Sequence, residues 1–379
     1  MRYCSSVLGA VVKALPRRTF AQIVERHAAD RYDKEFDSWD HLMALLYAQL
    51  GGIGGLRELA ASWNAHSQHH YHLGCGKLYR STLSDANARR APAVFAELFA
   101  AMSARLDDGV RREGNRLLVR LLDASPIPLP ALCAWARSNG RTSGMKLHLV
   151  YDPRAVHPLD VTITHATVND VIVGREAVLV AGAVYIFDKA YADYAWWTRI
   201  AEAKAFFVTR AKTNVRFEIL ELRPVPSDTN LVEDALVRII SKNAKPPGPL
   251  RRITVRRDDG SLIVLLSNDL ARDAADIAAL YRERWQIELL FRWIKQHLNI
   301  KRFLGRSENA VRLQVLAAMI AFLLLRSAAG RRPDLPLLRL ADLVRHCAFQ
   351  RRPIDLIDRP PHPWAPPTAH PNQIAFAYA

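Results

Sequence analysis

The sequence predicts an α/β fold preceded by an all-helical block and interrupted by a β-rich segment. Three observations carry that prediction. Apolar residues recur with helical period through residues 1–112. From about Asn115 the pattern changes to short apolar or alternating runs typical of strands. After residue 265 it returns to helical period, ending in a long apolar stretch over 313–325.

Within the first block, Phe20, Ile23 and Val24 mark one helix, residues 39–50 a second and residues 56–63 a third. Residues 1–15 read as a first helix, since no convincing signal-peptide core and cleavage site follow Arg2. Gly51-Gly52-Ile53-Gly54-Gly55 has the glycine content of a phosphate cradle. No strand precedes it and no Lys-Ser/Thr follows, so the favoured reading is a helix–turn–helix joint. A later helix starts near Ser81 or Thr82, either a plausible cap, and reaches Arg89 and Arg90 before Pro92. Residues 94–106 place Phe95, Leu98, Phe99 and Met102 on one side of the next helix. The block is expected to be a helical DNA-binding domain with Arg89 and Arg90 among its contacts. His66, His69, His70, His72 and Cys75 match no common structural zinc spacing, so they read as a polar connector without metal.

The strand-forming part holds apolar or alternating runs at 117–122, 145–151, 159–165, 184–187 and 205–209. The first ends in Asp123 and the fourth in Asp188. A carboxylate directly after a buried strand opens onto the site of an α/β sheet rather than into its core. An ordinary cap explains such a residue equally well when it is taken singly. Asp152 before Pro153, Asp170 after Asn169, and Asp160 and Asp193 compete, the first two with turn or cap roles that account for them. Residues 212–265 are β-rich and basic, broken by Pro246-Pro247-Gly248-Pro249 and carrying a hairpin signal at Asp258-Asp259-Gly260. They read as an insertion into an α/β domain made of residues 113–211 and 266–350. Residues 351–379 read as a Pro-rich tail poorly suited to a packed core.

Tyr281, Arg284, Glu288 and Lys295 are spaced Y-x2-R-x3-E-x6-K in what reads as one uninterrupted helix. At about 100° per residue they fall within roughly 60° of one another, a polar ribbon about 21 Å long. Ile287, Leu290, Phe291, Ile294 and Leu298 form a separate apolar side. Glu288 also lies four residues from Arg284 and from Arg292, so a surface ion pair is the plain alternative. A carboxylate flanked by cations suits a phosphodiester with a metal.

Composition narrows the partners. Of 379 residues, 53 are Lys or Arg and 37 Asp or Glu, giving a net charge of +16 spread along the chain. A polyanion is the expected partner. The apolar run at 313–325 contains Gln314 and is too short to cross a bilayer, and no lipidation motif or basic amphipathic anchor points to a membrane. The four cysteines, Cys4, Cys75, Cys133 and Cys347, are dispersed, which fits a reducing cytoplasm rather than a disulfide scaffold.

Taken together, strand-Asp, strand-Asp, β-rich insertion and Y-x2-R-x3-E-x6-K resemble the DDE transposases of insertion-sequence family four over nearly the whole chain. The segments Leu121-Leu122-Asp123-Ala124-Ser125, Lys146-Leu147-His148, Val184-Tyr185-Ile186-Phe187-Asp188-Lys189-Ala190-Tyr191 and Phe206-Phe207-Val208-Thr209-Arg210-Ala211-Lys212 carry the rest of the likeness. Two departures stand out: the first Asp is followed by Ala rather than directly by Ser or Thr, and the second by Lys-Ala-Tyr rather than Arg-Gly-Tyr. The resemblance implies a ribonuclease H-like mixed sheet flanked by helices, in which Asp123, Asp188 and Glu288 hold two Mg²⁺ ions, with Mn²⁺ able to substitute. It implies cleavage at terminal inverted repeats, strand transfer into target double-stranded DNA through a hairpin intermediate, and a homodimer on DNA. Tyr281, Arg284 and Lys295 match the motif positions that grip phosphate, and Trp285 is placed to stack on an unpaired base or to pack against the insertion. Two alternatives remain: a metal-dependent nuclease without strand transfer, and a silent DNA-binding repressor descended from a transposase.

Overall fold

The structure, a computed structural model, describes residues 5–31, 33, 35–111, 117–130, 133, 135–136, 144–241 and 247–359. Cys4, the expected transition at Asn115 and the tail beyond Arg359 lie outside the described residues. The chain opens with helices α1 (Val7–Val12), α2 (Arg17–Arg26), α3 (Ser38–Gly51), α4 (Leu56–Ala65), α5 (His70–Leu73), α6 (Arg80–Arg89) and α7 (Ala93–Arg111). Asp37 caps α3 by accepting from the Asp40 amide at 2.8 Å, and Gly52 ends it at φ 69°. That left-handed turn favours glycine, so the glycine run is the helix joint the sequence predicts.

The histidine connector differs from expectation. Residues Ser67–His69 form a 3₁₀ turn leading into α5, and His69 and His70 are buried. His66 stacks on Phe349 at 4.1 Å and His70 on Trp63 at 4.8 Å. The imidazoles serve as flat packing surfaces in an aromatic seam, which a reading of polarity alone misses.

Among the described residues nine strands follow in one sheet: β1 (Val119–Pro128), β2 (Gly144–Asp152), β3 (His157–His165), β4 (Val184–Phe187), β5 (Phe206–Arg210), β6 (Arg216–Arg223), β7 (Leu231–Ile240), β8 (Leu250–Arg256) and β9 (Leu262–Ser267). Their spatial order is β3-β2-β1-β4-β5-β9-β8-β7-β6. β2 runs against both its neighbours, whereas β1, β4 and β5 are mutually parallel. This is the mixed sheet expected. The segment 212–265 does not form a body of its own, because β9 pairs antiparallel with β5, Arg210 opposite Leu265, and prolongs the sheet. Pairing satisfies backbone groups that a free edge at β5 would leave open.

One face of the sheet carries α8 (Asp170–Glu176) and α9 (Tyr194–Glu202), packed through Trp196 and Trp197 against Phe187 and Phe207. The other buries Leu121, Ile186 and Val208 in the same core as α10 (Ala274–Glu283), α11 (Trp285–His297), α12 (Glu308–Gly330) and α13 (Leu337–Cys347). The apolar α12 is long enough to cross a membrane, but 78% of its apolar window is buried inside the protein. It is a core helix, as predicted. The buried polar Gln314 is fully occupied, accepting from the Leu304 amide at 2.8 Å and donating to Arg302 O at 2.7 Å. The start of the Pro-rich tail packs after all: Ile354 and Ile357 are buried, and Arg332 pairs with Asp358 at 3.0 Å. Two isoleucines outweigh the proline content there.

Candidate active site

Register brings the first two acids together. β1 and β4 are parallel, and their last paired residues are Leu122 and Phe187, so Asp123 and Asp188 each stand one residue past the end of that pairing. Alternation fixes their face: Leu121 and Ile186 point into the core beneath the helices, and the residues two further on share that side. Asp123 is not at the end of its strand, as the sequence suggested. β1 continues to Pro128 with Asp123 opposite Leu149 of β2, because only the β4 side of the ladder stops there.

Glu288 comes from the helices above. The stretch bearing Tyr281 to Lys295 is two helices meeting at Arg284 rather than one, with i→i−3 bonds from Arg284 N to Tyr281 O at 3.1 Å and from Ile287 N to Arg284 O at 3.2 Å. The joint keeps helical dihedrals, φ −52° and ψ −32°, and the polar ribbon survives. Arg284 donates to Glu288 Oε1 at 2.6 Å and lies 3.7 Å from Asp123 Oδ2, so one guanidinium spans the two carboxylates. Its plane lies over Tyr281, 5.9 Å from the ring centre. Lys295 donates to Ser125 Oγ at 2.6 Å, which ties the far end of α11 to β1 two residues beyond Asp123.

Burial pushes the Asp123 carboxyl up to about 6; Glu288 and Asp170 push the same way, opposed by the Ala124 amide and Arg284. Burial likewise raises the Tyr281 hydroxyl, with Asp188 adding to it and Arg284 and Arg210 opposing. The sequence assigns Arg210 no role; register does, since Val208 pairs with Ile186 and Arg210 therefore falls beside Asp188 on the same face. Burial depresses the Lys295 amine, Lys301 adding to it.

The acids offer the hard oxygen donors that a magnesium-type ion prefers, and their negative charge is concentrated enough to hold a guanidinium between two of them. Among the described residues, no three His, Cys, Asp or Glu side chains are gathered closely enough to enclose an ion as they stand. Arg284 occupies the space between Asp123 and Glu288.

The remaining expected residues divide. Trp285 is 52% exposed, with Arg292 5.8 Å from its ring centre. It lines a cleft of about 460 Å³ with Arg256, Arg257, Tyr281, Arg282 and Arg284, between the β8–β9 turn and α10. Arg89 is exposed at the end of α6. Arg90 is a correction: its guanidinium is held by Asp33 at 2.8 Å, by Asp37 O at 2.6 Å and by Phe36 O, so four of its five donors brace the helical block instead of facing DNA. Helix-end position gave no warning of that.

A family model described as the transposase DDE domain matches residues 114–324. The chain belongs to the DDE transposases. The matched span of this transposase contains Asp123, Asp188 and Glu288. A second model, a domain of unknown function, matches residues 3–76. A Sinorhizobium fredii protein named as a transposase is 54% identical over 306 residues, covering 78% of this chain and 85% of that one. A Geobacillus stearothermophilus protein, named as the transposase of an insertion sequence element, is 30% identical over 261 residues, 67% of this chain and 68% of its own length. A Synechocystis protein named for another such element is 25% identical over 251 residues, 65% of this chain and 70% of its own.

Proposed function

We propose that this DDE transposase cuts DNA at the terminal inverted repeats of an insertion sequence and joins the freed 3′ ends to target DNA, with a hairpin formed at the end in between. The observation that carries the reading is the Asp123–Arg284–Glu288 bridge set beside Asp188 by strand register. Asp123, Asp188 and Glu288 are the residues that would hold a pair of Mg²⁺ or Mn²⁺ ions. Ions bound there supply activation of a water or 3′-hydroxyl and neutralisation of the leaving oxygen.

The protein's own groups position the DNA. With Asp123 and Glu288 neutralised, Arg284 would turn its planar fork from those acids to a phosphate, and Lys295 would add a point charge held in place by Ser125. Tyr281, its ring 5.9 Å from the Arg284 guanidinium, would help hold that fork in place. Trp285 and its cleft, where four arginines outnumber Asp258 and Asp259, would receive a base displaced from the end as the hairpin bends. Arg89 adds a contact from the helical block, and two protomers on the DNA would bring two ends together.

Glu288→Gln should abolish cleavage of a duplex carrying the element's end while retaining its binding within about twofold, since the carboxylate serves the ions rather than the phosphates. Cleavage retained by that variant would reject the site. With wild-type protein and Mg²⁺, products joined to a target plasmid support transposition, whereas cut but unjoined ends indicate a nuclease.

A further inference from the structure

The connector between α5 and α6 is fixed more firmly than a surface loop of its length requires. Gly74 turns the chain at φ 68°. Leu73 O accepts from Arg17 at 2.8 Å and from Trp39 Nε1 at 2.9 Å. Gly76 O accepts from Trp63 Nε1 at 3.0 Å, and the Gly76 amide donates to Asp40 at 3.1 Å. Asn64 closes the far end, donating to Leu78 O at 2.8 Å and accepting from Leu78 N at 2.9 Å. Side chains from three helices are thus committed to holding this backbone.

What the fixed backbone presents is aromatic and basic. Tyr71 is 88% and Tyr79 55% exposed, Lys77 and Arg80 are exposed, and Lys77 Nζ lies 5.3 Å from the Tyr79 ring centre. No Asp or Glu occurs between Glu58 and Asp85. Phenol hydroxyls, ammonium and guanidinium groups are the donors that take phosphate oxygens, and a loop held in advance loses little entropy on binding.

Position selects the partner. The C-terminal end of α3 meets the catalytic part, where Gln49 accepts from the Asn299 amide at 2.8 Å, and its N-terminal end, through Trp39 and Asp40, holds this connector. A helix of 14 residues is about 21 Å long, or roughly six base steps of duplex. Resting on the transposase reading above, we infer that Tyr71, Lys77, Tyr79 and Arg80 grip the sugar-phosphate backbone of the duplex at the element's end, one α3 length from the catalytic part.

The test is fluorescence anisotropy over a salt series, using a duplex with the element's terminal sequence and the full-length variant Tyr71→Ala, Lys77→Ala, Tyr79→Ala, Arg80→Ala. Expected are an affinity roughly tenfold weaker and a log–log salt slope reduced by about two, one per lost cation. An unchanged affinity and slope would overturn the assignment. So would normal DNA binding with lost self-association in sedimentation, which gives the face to a second copy of the chain. Should the fourfold variant fail to melt cooperatively, the exposed single change Lys77→Glu gives the same two readings. Wild-type protein that binds no duplex at all would instead sink the transposase reading itself.

Discussion

At the scale of single residues the site is built against the stability of the fold. Asp123 is the clearest case, because burial and two neighbouring acids raise its carboxyl to about 6. A raised carboxyl favours the protonated folded state, so ionising it as pH climbs past the unfolded value toward 6 costs stability, and above 6 the cost is fully present. Asp123→Asn should therefore stabilise the ion-free protein at pH 7–8 by on the order of 2 kcal/mol, and the gain should vanish below about pH 4. Denaturant melts at the two pH values check it, and an equal effect at both would refute the argument. Lys295 makes a different prediction. Its ammonium is held toward the site by Ser125, so Lys295→Ala should lower the salt slope of binding to DNA ends by about one. A slope identical to wild type would remove it from the phosphate contacts.

At the scale of elements, what the sequence left open was where each element stops. Y-x2-R-x3-E-x6-K was legible as a polar ribbon because helical period is a local property. The joint at Arg284 was not, since its two i→i−3 bonds arise where α10 and α11 settle on the sheet and no Gly or Pro marks the place. Similarly, the apolar run before Asp123 ends where pairing to β4 ends, while β2 pairing carries the strand on to Pro128. Arg90 and the histidine connector show the same limit: polarity says a side chain is able to meet water or DNA, not that a neighbour has already claimed it. The start of β2 provides a test of packing at this scale. A Cβ on Gly144 would run into the Ile127 carbonyl across the β1–β2 pair, a backbone atom that has no freedom to give way. Gly144→Ala should cost roughly 1–3 kcal/mol, seen as a lower melting temperature.

For the whole molecule, the helical block, the sheet and the C-terminal helices share one hydrophobic core running from Val7 to Ile357. A buried ion cluster stitches the first two together: Arg120 of β1 pairs with Asp152 of β2 at 2.7 Å and with Asp107 of α7 at 3.4 Å. Removing one partner leaves a buried charge undercompensated, so Asp152→Ala should destabilise by roughly 3 kcal/mol. Because the core is shared, the loss should appear as one earlier transition in a denaturant melt followed by both tryptophan fluorescence and helical dichroism. Two separated transitions would show that the helical block melts by itself.

From the sequence alone came the element types, the basic charge, the three acids and the cationic ribbon, because period, composition and motif spacing are read along the chain. Only tertiary structure decided that the segment 212–265 prolongs the sheet, that Arg210 stands next to Asp188, that Arg90 is spent inside the helical block, and that Arg284 lies between Asp123 and Glu288. These are pairings between residues far apart in the chain, selected by which edges, charges and faces are left unsatisfied once the local elements have formed.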